Sequence, residues 1–510
     1  MLKIINKNYN IIILLYLLYI MYKRCSKCNR KTKKCKQSKN ARGKNSLSPS
    51  SSASPVISTL TLHVPSERQI AARTLKSFML RKKTKITANF LKHICSDSGV
   101  CIAFGTESDK IKKFFNHFTN FDYAVGRRRI TAPLSNNGFI YEIEYARQDY
   151  IAHAILKSAI RPNADNLMYE YTVGKTINTL FNNYFPCFVE TYGIYKYNNE
   201  EEWVTSQDGT NDNNLQDILT EYSTTDFKES CLNSKHLCLL IQHIKDAPTL
   251  RDKIMDMSNS RSYLNFFEKE LLYCLYQIYY SLSMLSEDYT HYDLIDSNIL
   301  LYKPVDGKYI QYHYYLTDDT GTVNMVISFK SRYIVKIIDY GRSYINSSMS
   351  YYKKICDIKE CEPNCGNDVG YQWLSPAADA YFINSSLLNK SHDLKLLYII
   401  KSRFEKREFR NSSVIKLREI IDTTIYTGKW INSENGPIHV LRGTESNPIR
   451  GYPERINNVM DAERALRDMV LDLDEISKND KFHNDKFTKL GDLHVYGLSR
   501  KMKYVPMDTK

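Results

Sequence analysis

The apolar run at residues 11–22, IIILLYLLYIMY, stops at twelve residues. A membrane-spanning helix needs roughly 20. No small-residue cleavage site follows, as a secretory signal would require. Lys3 and Lys7 precede the run and Lys23-Arg24 follow it. Three readings stand: a short membrane anchor with a basic flank, a leader without an essential role, and a cleaved signal. Acidic residues are absent from the first 60 positions, which hold ten Lys and three Arg. Of the net charge of +15, that segment carries +13 and leaves +2 for the other 450 residues. The body is close to neutral, which argues against nucleic-acid recognition by it. The basic tail is left as a contact for a membrane surface or an acidic partner. The twelve Cys form no dense, evenly spaced framework, which excludes a small secreted disulfide scaffold. Cys187, Cys238 and Cys274 sit in apolar runs as small core residues, and a reducing compartment is expected. No internal repeat is visible.

Apolar residues make up 43% of the chain, enough for a two-lobed domain of about 300 residues with appendages. Residues 1–22 are the short hydrophobic segment. Residues 23–63 are a basic, then Ser/Pro-rich linker, expected to be disordered. In it, Cys25, Cys28 and Cys35 make an incomplete zinc pattern. Residues 64–126 read as a helical extension. Between 127 and 246 the period falls to two: Tyr141, Ile143 and Tyr145 alternate with Glu142 and Glu144, as in a half-buried strand. A second strand covers 151–157, a helix 165–180, and further strands 185–196 and 237–244, the last two separated by a polar stretch. Residues 263–285 place apolar side chains at steps of three or four, which predicts one long amphipathic helix. Two or three strands follow Asn298. The remainder, 401–510, is expected to be mostly helical, with the clearest helix at 459–476.

Two elements carry chemistry. The loop His291-Tyr-Asp293-Leu-Ile-Asp-Ser-Asn298 follows the long helix, and Ile-Ile-Asp339-Tyr-Gly341 ends a strand. Together they resemble the catalytic loop and the metal-binding element of the protein-kinase superfamily. That resemblance implies an α+β, bilobal fold: a small β-rich N-lobe at 127–246, a larger, mainly helical C-lobe at 247–400, and a C-terminal helical extension. It implies Asp293 as the catalytic residue, orienting a hydroxyl and taking its proton, with Asn298 and Asp339 holding Mg²⁺. Ala154-Ile155-Leu-Lys157 is similar to the family's Val-Ala-Ile-Lys, so Lys157 would meet the ATP phosphates and Ile155 line the nucleotide site. Glu170, thirteen residues on, is the implied partner of Lys157. Leu134-Ser-Asn-Asn-Gly138 stands for the phosphate-covering loop, with one Gly where the family usually has three. Gln242 and Ile244 fall where the family presents backbone groups to adenine. His291, Gly341 and Asp393 are the implied structural residues, Asp393 bracing the catalytic loop or capping a helix.

The chain also departs from the family. Tyr292 replaces an Arg that senses a phosphorylated activation loop. Ile295 stands where a Lys usually stabilises the transferring phosphate. The 41 residues from Asn298 to Asp339 require an extended hairpin, and no Ala-Pro-Glu follows. Cys356, Cys361 and Cys365 would bind Zn²⁺ only with a fourth ligand from elsewhere, so free thiols are favoured. The wording of several stretches is similar to kinase-like proteins of large, AT-rich DNA viruses, which implies a place in the host-cell cytoplasm or virion. Three functions are compatible with these residues: a Ser/Thr protein kinase acting on a protein substrate, a pseudokinase scaffold, and a small-molecule phosphotransferase. The joint presence of Lys157, Asp293, Asn298 and Asp339 favours the first.

Overall fold

A computed structural model describes residues 100–101, 108–130, 138–160, 167–182, 184–211, 213–223, 233–255, 260–317, 322–346, 372–373, 382–383, 388–404, 409–424, 431–433, 436–438, 456–476 and 487–497. The hydrophobic run 11–22, the basic and Ser-rich tail, the loop 134–137 and Cys356, Cys361 and Cys365 lie outside them. Among the described residues, no helix is long and apolar enough to cross a membrane.

The fold is mixed α/β. Its main sheet has seven strands: β1 (Val100–Cys101), β2 (Ala124–Arg129), β3 (Gly138–Arg147), β4 (Tyr150–Ala159), β5 (Thr191–Tyr197), β6 (Leu219–Glu221) and β7 (Leu237–Gln242). They run in the order β2-β3-β4-β7-β5-β6, and β1 joins β4 in parallel. The alternation in β3 has its expected effect. Tyr141, Ile143 and Tyr145 are buried in one hydrophobic cluster with Ala154, Leu156 and Leu240. The other face of the β3–β4 pair carries Glu142 opposite Ile155 and Ile140 opposite Lys157. Phe115, Phe118 and Phe121 belong to the same cluster. Residues 108–121, part of the stretch expected as a helical extension, therefore pack into the sheet's core. They supply the short helix α1 (Ser108–Phe114).

Helix α2 (Leu167–Leu180) crosses the sheet through a close approach at Gly174. A Cβ there would lie 2.0 Å from Thr191 Oγ1 and 2.8 Å from Thr191 Cβ, so only glycine permits this spacing. The predicted strand at 185–196 begins only at Thr191. Upstream, Cys187 O accepts from Ile337 N–H (2.6 Å) and Val189 N–H donates to Ile337 O (3.4 Å), which ties that segment to a strand far along the chain. The polar stretch 197–235 is not a plain loop. It holds α3 (Glu200–Asp208), which Asn199 caps by accepting from Glu202 N–H, and which Gly209 closes at φ 77°.

A second hydrophobic cluster surrounds the helices. α4 (Leu250–Met255) is followed by α5 (Ser260–Lys269) and α6 (Leu271–Met284), so the single helix expected at 263–285 is two. The break is at Glu270, which is fully buried. Its carboxylate pairs with Arg332 Nε at 2.5 Å and accepts from Ser331 Oγ at 2.8 Å. Those bonds hold position 270 outside helical geometry (φ −125°).

β8 (Tyr289–Thr290), β9 (Ile299–Tyr302), β10 (Lys308–Thr317), β11 (Val323–Ser331), β12 (Ile334–Ile337) and β13 (Tyr344–Ile345) follow. β10 and β11 form the hairpin that the long spacing between Asn298 and Asp339 called for. Tyr312, Tyr314 and Phe329 stack on it, and Tyr314 and Phe329 meet Tyr276 of α6 edge-on. Beyond lie α7 (Lys395–Phe404), α8 (Ser412–Asp422) and α9 (Val459–Ile476), the last packed on α6. The expectation of a helical C-terminal region missed β14 (Thr488–Val495), which adds to β10 in parallel. Cys187, Cys238 and Cys274 are buried free thiols as expected, whereas Cys101 is disulfide-bonded, which the reading of reduced cysteines did not foresee.

Candidate functional site

Two short antiparallel pairs hold the two chemical loops together. β9 pairs with β12 so that Ile299 faces Ile337. Asn298, just before β9, and Asp339, just after β12, therefore sit at the same end of the pair, and Ile338 N–H donates to Asn298 O at 3.1 Å. β8 pairs with β13, with Thr290 opposite Tyr344, and closes the other side. The spacing of the motifs alone does not place these loops side by side; the strand pairing does.

Lys157 projects from β4 on the face shared with Ile155. Its Nζ lies 2.8 Å from Glu170 Oε2 and 3.1 Å from Asp339 Oδ1. Glu170 is almost entirely buried, one helical turn before Gly174. Lys157 is the first cause that holds the Asp339 carboxyl below the usual carboxylate range. Asp339 adopts φ 69°, ψ 76°, a left-handed conformation that Asp tolerates better than most residues. Gly341 has no such requirement. A Cβ there would meet Glu170 Oε2 at an ordinary 3.4 Å.

Asn298 Nδ2 donates to Asp293 O (2.9 Å) and to Asp293 Oδ2 (3.3 Å). Those two bonds turn the amide nitrogen toward Asp293, which leaves Oδ1 for other partners. A neutral amide oxygen and the carboxylate of Asp339 are hard donors suited to Mg²⁺ completed by water and phosphate. They do not make an all-protein cage, and no group of three or more His, Cys, Asp or Glu with metal-binding geometry occurs among the described residues.

His291 and Asp393 brace the loop. Asp393 Oδ2 accepts from His291 N–H (2.7 Å) and Oδ1 from Tyr292 N–H (3.0 Å). Burial raises the Asp393 pKa, opposed by His291 and these backbone donors. His291 Nδ1 accepts from Asp293 N–H, so Nε2 carries the proton donated to Ile338 O at 3.1 Å. Tyr292, at φ 62°, is fully buried with its ring 4.9 Å from that of His392. Tyr292 is thus a core contact.

The remaining expected residues are placed differently. Gly138 opens β3, and a Cβ there would lie 2.5 Å from Ser158 O, so its lack of a side chain serves strand packing. Gln242 is buried. Its side-chain oxygen accepts from Glu190 N–H at 3.2 Å and its own N–H donates to Glu190 O at 2.7 Å, so these groups do not face a ligand. Ile244 is a core residue at 2% exposure, and its carbonyl accepts from Ala247 N–H.

Two features escaped the reading of the sequence. Lys395 Nζ lies 3.4 Å from Asp293 Oδ1. Glu142, treated as an ordinary strand residue, is buried on the face of Lys157 and Ile155 among two cationic side chains and two imidazoles. Arg128 Nη2 lies 2.6 Å from it, His153 Nδ1 3.2 Å, and His243 Nδ1 and Lys245 Nζ 3.5 Å. Burial pushes the Glu142 pKa up, but the Arg128 hydrogen bond and the neighbouring charges carry it below its usual value. Burial pushes His243 down to about 4 against the pull of Glu142.

No protein-family model matches the chain, and no curated protein matches it. Among solved structures, a Plasmodium kinase domain aligns with 46% of this chain and 56% of its own length, at 14% identity and a TM-score of 0.24. The chain thus spans little more than half of that domain. An overlap this loose assigns neither fold nor activity, and the functional reading rests on the geometry of the site.

Proposed function

We propose that the chain is a kinase-like, two-lobed phosphotransferase that uses ATP and Mg²⁺ and passes the γ-phosphate to a Ser or Thr hydroxyl of a protein. The observation that carries this reading is Lys157, bridging buried Glu170 and Asp339 beside the Asp293–Asn298 pair. A charge cluster with only a structural role has no need of an exposed carboxylate, and Asp339 keeps 42% of its side chain accessible. Bound ATP would supply the transferable phosphoryl group, and Mg²⁺, held by Asn298 Oδ1 and Asp339, would offset its charge. Lys157 holds phosphate through a cation that Glu170 keeps in place. Asp293 would accept the hydroxyl proton as the oxygen bonds to the γ-phosphorus and the bond to the β-phosphate breaks, releasing ADP, and its carboxylate is oriented by Asn298 Nδ2.

The full chain, with and without Asp293→Ala, is incubated with Mg²⁺, labelled ATP and mixed protein acceptors. Transfer by wild type and its loss in the variant are expected. Equal background transfer by both sinks the enzyme reading. A second reading, a kinase-like binding module without turnover, is favoured by the Glu142 cluster, which fills part of the nucleotide face with charge. It predicts no transfer by either protein and a MgATP-dependent rise in Tm that Lys157→Met abolishes.

A further inference from the structure

Phosphoryl transfer spreads negative charge over the oxygens of the moving group, and positive charge must stand close to it. Lys157 serves the Asp339 side of the site. On the Asp293 side, the loop itself provides none: Leu294, Ile295, Asp296 and Ser297 are apolar, acidic or neutral. The fold brings a cation there from another element. Lys395, the first residue of α7, places Nζ 3.4 Å from Asp293 Oδ1.

Its location is costly. A cation in the first turn of a helix opposes the helix dipole. The side chain is only 16% exposed, and Asp293 is 15% exposed, so both are largely removed from water. Lys395 also stands against His392, whose imidazole burial, and then Lys395, push down to about 3. Its anchor is rigid. Asp393, two residues earlier, holds the backbone of His291 and Tyr292. The same turn therefore fixes both the loop that carries Asp293 and the lysine that faces it. Asp293 remains tied to Asn298, so Lys395 is a second neighbour of a carboxylate already oriented.

We propose that Lys395 is a catalytic residue of this site, the cation that contacts the transferring phosphate beside Asp293. This rests on the phosphotransferase reading above. With no phosphate bound, Nζ rests on Asp293 Oδ1; with phosphate bound, it turns to the phosphate oxygens and leaves Asp293 free to accept the hydroxyl proton. The long side chain makes that turn without movement of α7.

The test measures transfer from ATP by the full chain with Mg²⁺ and a protein acceptor, separating kcat from the KM for ATP. Lys395→Ala and Lys395→Met are expected to lower kcat by roughly 10²-fold with the KM changed less than about threefold, as for loss of one transition-state contact. Ile295→Lys restores a cation two residues from Asp293 on the same loop. In the Lys395→Ala background it is expected to recover at least about tenfold, an effect that a purely structural Lys395 would not show. Lys395→Arg, which keeps the charge, retains most of the rate and covers the case in which the alanine variant folds poorly. If wild type transfers phosphate and Lys395→Met keeps more than half its kcat, the role of Lys395 is overturned while the enzyme reading stands. If wild type transfers none, both are overturned.

Discussion

Gly174→Ala tests how α2 is held over the sheet. On helix propensity alone, alanine in a helix interior gains about 0.5–1 kcal/mol over glycine. The structure reverses the sign. The new Cβ would lie 2.0 Å from Thr191 Oγ1, 2.8 Å from its Cβ and 3.3 Å from its Cγ2. Thr191 has no room to yield. It is 1% exposed, Asn178 Oδ1 accepts from its N–H at 3.1 Å, and Asn178 Nδ2 donates to its O at 2.6 Å. Rotation removes the Oγ1 clash but not the Cβ one, so α2 must lift. Overpacking of this kind costs about 1–3 kcal/mol, which outweighs the propensity gain. Glu170 lies one turn away on the same helix, so the Lys157–Glu170 contact is expected to lengthen as well. Urea unfolding should show a net loss of about 1–2 kcal/mol. Thr191→Ala deletes Oγ1, which makes no hydrogen bond, and Cγ2. The double variant should recover about half of the loss. A Gly174→Ala protein at least as stable as wild type, or strict additivity with Thr191→Ala, would refute this account of the helix position.

Lys157→Met leaves Glu170 buried without its cation, and a loss of about 3–5 kcal/mol is expected in urea unfolding; adding Glu170→Gln should return most of it. Asp393→Ala strips acceptors from two buried backbone donors, at about 1–3 kcal/mol each, whereas Asp393→Asn keeps one acceptor oxygen; equal destabilisation by both would contradict the two-bond brace. His392, pushed down to about 3 by burial, stays neutral in the fold while the unfolded chain binds a proton below about 6.5. Stability is therefore lost as pH falls through that window. From pH 7 to pH 5 its share is about 2 kcal/mol, and His392→Gln should shrink the measured difference by that amount.

The alternation of Tyr141, Ile143 and Tyr145 with Glu142 and Glu144 determined β3, because one face of a sheet must be apolar. The apolar spacing at 459–476 determined α9 for the same reason at helical period. Residues 263–285 carried a helical period too, yet the period says nothing about Glu270, whose carboxylate is drawn to Arg332 across the fold and splits the helix. Lys157, Asp293, Asn298 and Asp339 were legible because their residue types and order resemble a known pattern of letters. What only the tertiary structure decided is who stands next to them. Glu170 reaches Lys157 because Gly174 lets α2 sit close to Thr191. Asp339 meets the loop of Asp293 because β9 pairs with β12. Lys395 faces Asp293 across 102 positions of chain because a helix begins there. Residue type is a local property, whereas a charge's neighbour is set by packing between distant segments, and no local pattern records it.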